Sequence, residues 1–585
     1  MKRRDFVGTG LALAGAALLP APTARAGELS RVRPGQPGWP AAADWAKLGE
    51  VVGGRLSPVT LPDLTGPSAK ALLGNPFYLA DQPGLSQSSG FLGAWRSSPS
   101  AYVVAARDTA DVVAAVRFAR VHNLRLVIKG RGHSFFGASN APDSLLLWTR
   151  GMDDVTVHEA FTPAGSKSPP VPAVSCGAGA MWLHAYQAVS VGAGRYVQGG
   201  GCTTVGVAGL VQGGGFGSFS KGFGTAAASL LEAEIVTADG RIRVVNQARD
   251  DDLLWALKGG GGGTFGVVTR LTLATHALPD TFGAVRLSIH ARSGDAYRRL
   301  LARFIDLYAT SLFNPHWGEQ VTAGPHNRFN VSMLFQGLKT DEARAAWKPL
   351  LDFVSDNAGD YDVQAALNVI GLPARLFWNA DILRHVPGAV DFDSRPGSPA
   401  TDFWWAGNTD EAGTFWHGYT SAWMPSRLLE PANQARLVDA WFAASRHWSV
   451  SFHFNKGLAG APPAAIAASR DTPMNPDALD AFALAIIAMD GSSAYTGAPD
   501  LAAAGRNASS VQAAMAALRV AAPETGAYVN ECDYFQKDWQ RAFWGSNYPR
   551  LARIKRRYDP SGLFTVHHGV GSEAWSPDGF TRSGA

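Results

Sequence analysis

Two glycine-rich segments place one histidine and one cysteine where each could react with a ligand. His133 lies in Arg-Gly-His-Ser, residues 131–134, and Cys202 lies in Gly-Gly-Cys-Thr-Thr-Val-Gly, residues 200–206. A further glycine run follows at residues 212–217. Glycine lets backbone amides approach a ligand closely, and successive N–H groups can hold phosphate oxygens. Both side chains are nucleophiles, so each could carry a covalently attached cofactor.

A β-α-β unit is predicted to present the histidine. Residues 102–104 and 124–128 have the apolar, β-branched composition of strands. Between them, Asp108 is predicted to cap a helix whose apolar face includes Val112. The second strand leads directly into the loop 131–134, which is where such a unit typically presents a ligand loop.

The elements around the second glycine loop follow in a regular order. Strands are predicted at 144–148, 155–158 and 173–176, a helix from 181 to about 189, a hairpin over 232–245, a helix at 252–257 and a strand at 265–275. After residue 279, strand-like runs at 284–289, 329–334 and 449–454 alternate with helical runs at 297–308, 341–354 and 435–446. This second pattern predicts an antiparallel sheet backed by helices.

Together, the two motifs resemble the berberine bridge enzyme-like branch of the vanillyl-alcohol-oxidase flavoproteins. In that branch, Arg-Gly-His-Ser supplies a histidyl bond to the 8α methyl group of FAD, and G-x-C-x-T-V-G supplies a second, cysteinyl bond. The resemblance therefore implies bicovalent FAD, held through His133 and Cys202. Proline often follows the cysteine in the family, whereas this chain has Thr203.

The resemblance implies an α+β fold, made of a two-part FAD-binding domain of the p-cresol methylhydroxylase type (PCMH-type) and a substrate domain. A chain of 585 residues is long enough for two or more domains. The expected divisions are a signal peptide at 1–26, an irregular lead-in rich in Pro and Gly at 27–95, the FAD-binding domain at 96–278, the substrate-binding domain at 279–515, and a C-terminal segment at 516–585 that returns to the FAD-binding domain.

The resemblance also implies further contacts to FAD beyond the two attachment residues. The expected residues are Arg131, Gly132, Ser134, Gly137, Gly201, Val205, Gly206, Gly209, Gly213, Gly214, Gly217, Gly224, Ile235, Val236, Gly266, Val267 and Asn530. Valine at position 205 resembles the family form that admits dioxygen to the flavin, and leucine there resembles the dehydrogenase form.

Two other glycine-rich segments are not interpreted as independent nucleotide sites. Residues 222–227 fit G-x-G-x-x-A, but no strand precedes them, so a Rossmann fingerprint is rejected. Lys258 precedes five glycines, but no Gly-Lys-Ser/Thr follows as in a P-loop. Both segments are expected to pack closely around one extended FAD.

Tyr528 is the expected catalytic base, because Tyr-x-Asn at 528–530 matches the family tyrosine that faces the flavin. A tyrosine has an ordinary pKa of about 10, so it needs a nearby cation or the field of the flavin to act as a base. Lys456 is the candidate cation, with a solvated strand residue as the alternative interpretation. His567 and His568 could be structural only.

The first 26 residues have the pattern of an export signal. Arg3 and Arg4 precede Phe6, an apolar stretch covers residues 7–19, and Ala-Arg-Ala at 24–26 has the form of a cleavage site. The apolar stretch is too short for a membrane anchor. The paired arginines resemble a twin-arginine signal, a route that carries folded proteins, and an ordinary secretory signal is the alternative. An exported, periplasmic or extracellular protein is expected.

Charge and cysteine content exclude several classes of function. The net charge is +4 without a long basic run, so nucleic acid is not an expected partner. Three cysteines cannot form a disulfide framework. Cys176 is expected to be a small core residue, and a Cys176–Cys532 bridge is left open. No metal site is predicted.

The sequence thus predicts an exported FAD-dependent oxidase whose partners are a small-molecule substrate and dioxygen. Hydride leaves a substrate C–H, at an alcohol or sugar carbon, for flavin N5 while Tyr528 removes a proton, and dioxygen becomes hydrogen peroxide. One alternative is an amine or alkaloid oxidase, or a dehydrogenase, of the same family. Another is a periplasmic ligand-binding protein without catalysis.

Overall fold

Three sheets of four or more strands organise residues 29–583, the part of the chain that the computed structural model describes. The first, called here the small sheet, has four strands. In spatial order they are Leu56–Pro58, Tyr102–Ala105, Ser144–Trp148 and Arg125–Lys129. The last three run parallel, and the first is antiparallel to its neighbour. The predicted β-α-β unit supplies two of its four strands, Tyr102–Ala105 and Arg125–Lys129.

The crossover helix of that unit, Thr109–Val121, begins where the sequence predicts. The Asp108 carboxylate accepts a hydrogen bond from the Asp111 N–H at 3.0 Å and so caps the helix. Val112 on its apolar face is fully buried against the small sheet. The helix thereby fixes the strand Arg125–Lys129, which leads into the loop that carries His133.

The second sheet has five antiparallel strands. In spatial order they are Ile242–Asn246, Leu230–Val236, Val267–Ala274, Val171–Gly177 and Val155–Phe161. The predicted hairpin is its edge pair, and Gly240 in the turn has φ +72°, a conformation that favours glycine. Cys176 is buried in this sheet, and burial raises the pKa of its thiol to about 12. The three cysteines are free, so the Cys176–Cys532 bridge is not formed.

The third sheet, called here the large sheet, has nine strands. In spatial order they are Tyr361–Pro373, Thr281–Ala291, Arg328–Gln336, Trp317–Gly324, Val450–His453, Ala481–Gly491, Thr414–Pro425, Ser88–Phe91 and Trp95–Arg96. All neighbours are antiparallel except Thr414–Pro425 and Ser88–Phe91. Apolar residues of the helices Gly294–Leu307, Lys348–Asp356, Pro431–Ser445 and Leu501–Arg519 share one core with this sheet. The predicted helix-backed antiparallel sheet is confirmed.

One predicted helix is divided in the structure. The predicted helix over 341–354 is two helices, Thr340–Ala346 and Lys348–Asp356, divided at Trp347. Pro349 lies in the first turn of the second helix, the position where a missing N–H is tolerated.

The lead-in before residue 96 is not irregular, contrary to the sequence expectation. It contains the helices Ala42–Val51, Ala69–Leu73 and Pro76–Ala80. Its strands Leu56–Pro58 and Ser88–Phe91 join the small and the large sheet respectively. The segment therefore links the two sheets on either side of the site described below.

The remaining elements are short. The helices are Trp182–Tyr186 with the π-helical turn Gln187–Gly192, Val207–Gln212, Ser220–Phe223, Asp251–Leu257, Ala380–Leu383, Pro463–Arg470, Asp477–Asp480, Trp539–Trp544 and Tyr548–Tyr558. Two-stranded pairs join Leu29–Ser30 to Thr581–Arg582, Arg195–Tyr196 to His276–Ala277, and Val390–Phe392 to Phe403–Trp405. Within residues 29–583, no helix combines the length and the apolarity of a bilayer span. The predicted signal peptide lies outside the described residues.

Candidate active site

His133 and Cys202, the two candidate attachment residues, line one cavity of about 880 Å³. Its volume lies in the range of ligand pockets, about 300–1,000 Å³. Most of its wall comes from four segments that are far apart in sequence: residues 125–142, 202–212, 528–534 and 565–579. The wall therefore forms only where the small sheet, the cysteine loop and the C-terminal segment meet.

His133 reaches the cavity from a loop whose start is fixed. Gly132 has φ +81°, which favours glycine there. The buried Lys129 ammonium, at the end of the preceding strand, donates to the carbonyl oxygens of Gln82, at 2.7 Å, and Leu85. Burial lowers the pKa of His133 to about 4. The imidazole is therefore neutral near pH 7 and keeps a nitrogen lone pair for nucleophilic attack.

Cys202 and His133 are brought together by one hydroxyl group. Thr204 Oγ1 lies 3.3 Å from His133 Nε2 and 3.6 Å from Cys202 Sγ. Burial, followed by the Glu411 carboxylate, raises the pKa of the Cys202 thiol to about 11. Hydrogen bonds from the Thr204 side chain and from the N–H groups of Thr204 and Val205 oppose that rise. The two nucleophiles predicted from separate motifs thus lie in one site.

Unpaired polar groups on the wall fit a dinucleotide cofactor. Arg131 Nε donates to the Gly179 carbonyl at 2.6 Å. Its Nη1 and Nη2 are buried without a hydrogen-bond partner among the described residues, and Nη2 lies 3.7 Å from an Asp153 carboxylate oxygen. Gln212 Oε1 and Asn140 Oδ1 are also buried without a hydrogen-bond partner there. Donors beside glycine backbone suit anionic phosphates, and amide groups suit a polar ring system. The residues present therefore fit FAD.

The predicted cofactor residues divide into two groups. Those on the cavity wall are Arg131, Gly132, His133, Ser134, Gly137, Cys202, Val205, Gly206, Gly209, Gly266 and Asn530. Those that do not line the cavity are Gly201, Gly213, Gly214, Gly217, Gly224, Ile235, Val236 and Val267. In the second group, several glycines serve packing. A Cβ on Gly217 would lie 1.7 Å from the Gly199 carbonyl oxygen, and one on Gly213 would lie 2.2 Å from the Asn530 amide.

Tyr528 lies on the same wall with its hydroxyl oriented by two donors. Its Oη accepts hydrogen bonds from the Gly215 N–H at 3.1 Å and from Asn530 Nδ2 at 3.0 Å. Because the oxygen accepts these two hydrogen bonds, its hydroxyl hydrogen remains available to a further acceptor. Burial, followed by the Glu531 carboxylate, raises the pKa of Tyr528 above its ordinary value.

Lys456 does not contact the Tyr528 hydroxyl, contrary to the sequence expectation. Its Nζ lies 2.7 and 2.5 Å from the two carboxylate oxygens of Glu531. Glu531 lies on the wall, whereas Lys456 lies behind it. The lysine therefore positions a carboxylate rather than a phenolate, and it is not a solvated strand residue either, because it is 9% exposed.

Among the wall residues that were not predicted from the sequence, three have side chains that contact or influence the predicted site residues: Thr204, Glu411 and Glu531. Thr204 lies inside the cysteine motif, and Glu531 directly follows the matched Tyr-x-Asn. Their positions in or next to a motif could have indicated that they belong to the site. Glu411 has no such signal, because none of the matched motifs lies near it in the sequence. Burial raises the pKa of its carboxyl to about 7.

The two C-terminal histidines also line the cavity. The His567 ring stacks on Tyr534 with centroids 3.7 Å apart, and on His568 at 3.8 Å. His567 Nε2 lies 2.8 Å from the Tyr534 carbonyl oxygen. This ring stack joins the two parts of the C-terminal segment that line the cavity, residues 528–534 and 565–579.

Comparison with known proteins identifies the family. The FAD binding domain model matches residues 99–246, and the berberine and berberine-like model matches residues 527–571. The FAD-linked oxidoreductase easE of Arthroderma otae is 32% identical over 488 residues, which cover 82% of this chain and 74% of that protein. The chain belongs to the berberine bridge enzyme-like family of FAD-linked oxidoreductases.

Other similar proteins agree with the assignment to the berberine bridge enzyme-like family. The VAO-type flavoprotein oxidase VAO615 of Thermothelomyces thermophilus is 29% identical over 94% of both chains. The crystal structure of the VAO-type flavoprotein MtVAO615 from Myceliophthora thermophila superposes with a TM-score of 0.76 at 26% identity, covering 95% of this chain and 100% of that one. The predicted α+β fold and the predicted FAD-dependent oxidoreductase are both confirmed.

A more distant structure shares the fold of this berberine bridge enzyme-like protein. Glucooligosaccharide oxidase from Acremonium strictum, which carries a 6-S-cysteinyl, 8α-N1-histidyl FAD, superposes with a TM-score of 0.65 at 19% identity. The match covers 90% of this chain and 99% of that one. At this identity the likeness concerns the fold alone.

Proposed function

We propose that the protein is an exported oxidase that moves hydride from an alcohol or sugar CH–OH to FAD bound through both His133 and Cys202. Electrons then pass to dioxygen, which becomes hydrogen peroxide. The observation that carries the proposal is the meeting of His133 and Cys202 at the Thr204 hydroxyl, on the wall that also presents Tyr528. A fold neighbour with a cysteinyl and a histidyl bond to FAD supports it.

In this proposal, FAD supplies the hydride acceptor, and the chain binds and orients the reactants. Tyr528 Oη contacts the substrate hydroxyl and, as phenolate, takes its proton. The donors at Gly215 N–H and Asn530 Nδ2 already point at this oxygen, so they also stabilise the phenolate. Lys456 holds Glu531 on the cavity wall that also presents Tyr528.

Aromatic side chains on the wall support a ring-shaped substrate. Trp416 is fixed by its Nε1–H, which donates to Ser88 Oγ at 2.8 Å. Phe135 meets it edge to face at 5.1 Å. Flat, rigid aromatic surfaces of this kind stack on sugars or aromatic substrates. Glucooligosaccharide oxidase, the fold neighbour, acts on a carbohydrate by its name.

Double attachment is tested by mass spectrometry of the denatured protein. We expect an FAD adduct on both the His133 and the Cys202 peptide of the wild type. Cys202→Ala should keep the flavin through His133, with a lower redox potential and slower turnover. Cys176→Ala is the matched control, since this buried thiol lies in the five-stranded sheet and should leave both bonds intact. Release of flavin from the denatured wild type would refute covalent attachment.

The reaction itself is tested by screening alcohols, sugars and amines with peroxide detection. We expect peroxide with an alcohol or sugar. Peroxide with amines alone would show that the substrate is an amine rather than an alcohol or sugar. Turnover that needs an artificial electron acceptor would show that the enzyme is a dehydrogenase rather than an oxidase. A colourless protein without turnover would leave the ligand-binding alternative.

Export is proposed from the sequence alone, through Arg3 and Arg4. Replacing both arginines with lysine should block translocation and leave active enzyme in the cytoplasm, because the twin-arginine route carries folded proteins. Activity in fractionated cells measures this. Unchanged export of the Lys-Lys variant would favour an ordinary secretory signal.

A further inference from the structure

We propose that Thr204 is a positioning residue that prepares both His133 and Cys202 for attachment to FAD. This inference rests on the proposed bicovalent attachment and extends it. The Thr204 hydroxyl bridges the two nucleophiles, although His133 and Thr204 are 71 residues apart in sequence. Thr204 is 1% exposed, whereas His133 and Cys202 are half-buried at the cavity wall.

The Thr204 hydroxyl can hydrogen-bond to His133 and Cys202 at the same time, in an arrangement that favours their attack on FAD. A hydroxyl donates one hydrogen and accepts others. If its hydrogen points to Cys202 Sγ, its oxygen can only accept from His133, so the ring hydrogen is on Nε2. Nδ1 then keeps its lone pair and is the nucleophilic nitrogen.

The same arrangement stabilises the sulfur as a thiolate. Cys202 Sγ then accepts from the Thr204 hydroxyl, and the N–H groups of Thr204 and Val205 donate to it as well. The thiolate is the reactive form of cysteine, and hydrogen bonds to a charged group favour the charged form. These donors oppose burial and the nearby Glu411 carboxylate, which favour the thiol.

The neighbouring threonine provides a contrast. Thr203 is also fully buried, but its hydroxyl donates to the Phe403 carbonyl oxygen at 3.1 Å, away from both nucleophiles. Thr203 therefore ties the cysteine loop to the strand Phe403–Trp405. Of these two adjacent threonines, Thr204 is the one whose hydroxyl contacts the attachment residues.

The attachment chemistry balances with dioxygen as the oxidant. When a bond forms, one hydrogen leaves a carbon atom of the cofactor and is replaced by nitrogen or sulfur. One proton also leaves the N–H or S–H group of the attacking residue. Two electrons and two protons are released per bond. The proposed oxidase reaction supplies the acceptor, because dioxygen takes up both electrons and both protons and becomes hydrogen peroxide.

The test compares full-length variants expressed and purified in the same way. Peptide mass spectrometry gives the flavinylated fraction at His133 and Cys202, and the absorbance of the unfolded sample gives total FAD. Thr204→Val keeps the shape and removes the hydroxyl. We expect it to bind FAD but to lower the flavinylated fraction at both residues at least tenfold. Thr204→Ser should restore both. Thr203→Val, which removes an anchor of the loop but no contact to either nucleophile, should lower them far less than Thr204→Val.

Several results would overturn the inference. These are wild-type flavinylation in Thr204→Val, no rescue by Thr204→Ser, or an equal loss in Thr203→Val. If neither Thr204→Val nor Thr204→Ala binds FAD at all, Thr204 serves the fold rather than the attachment, which also contradicts it. A wild type without either adduct is a separate outcome, because it refutes the proposed bicovalent attachment itself.

Discussion

Tyr528→Phe is expected to lower kcat by about 10²- to 10⁴-fold, the usual contribution of a positioned acid–base group. The substitution removes the oxygen that accepts from Gly215 N–H and Asn530 Nδ2 and keeps the buried ring. Steady-state peroxide formation measures the effect. Tyr308→Phe is the matched control, because this tyrosine is also fully buried, in the core of the large sheet, and should keep full activity.

The pH dependence of the wild type gives a second measurement of the same residue. Burial raises the pKa of Tyr528 above its ordinary value, so near pH 7 only a small fraction is phenolate. If the phenolate is the base, kcat/KM rises as pH increases into the alkaline range, and Tyr528→Phe loses that rise. A wild-type profile that is flat above pH 8 would contradict this role and favour the Glu531 carboxylate.

Val205→Leu is expected to slow the reaction of the reduced enzyme with dioxygen at least tenfold, equivalent to about 1.4 kcal/mol in the barrier. Val205 lies on the cavity wall beside Cys202. One added methylene fills space there without adding charge or polarity, so oxidation of the substrate should change little. Stopped-flow kinetics measures the two half-reactions separately.

The effect of Val205 has a control in the opposite direction. Val205→Ala leaves more space and should react with dioxygen at least as fast as the wild type. An artificial electron acceptor should restore turnover of Val205→Leu. Equal reoxidation rates in all three proteins would remove Val205 from the control of oxygen reactivity.

Local chemistry accounts for the parts of the fold that the sequence predicted well. Asp108 can cap a helix without help from the rest of the chain, and a Gly at position 240 suits a tight hairpin turn. Both features depend on residues only a few positions apart. The lead-in strands Leu56–Pro58 and Ser88–Phe91 could not be predicted in this way, because their partner strands are distant in sequence.

The site shows the same limit. Motifs identified His133, Cys202 and Tyr528, and the structure places all three on one wall. The partner of Lys456 was missed because Glu531 is 75 residues away. Glycines raised a different difficulty, since the sequence does not distinguish Gly206 on the wall from Gly217, which lets two backbone segments pack closely.

The late contribution of the C-terminal segment to the cavity wall has a consequence for how the enzyme is made. Asp578 and Gly579 line the cavity, and Gly579 is synthesised 367 residues after Gln212. At about 5–20 residues per second, the ribosome needs roughly 20–70 s for that interval. A nascent chain therefore carries both nucleophiles long before it can enclose a flavin. We therefore expect the cofactor to be loaded after translation, and we expect chains that lack their last residues to accumulate without it.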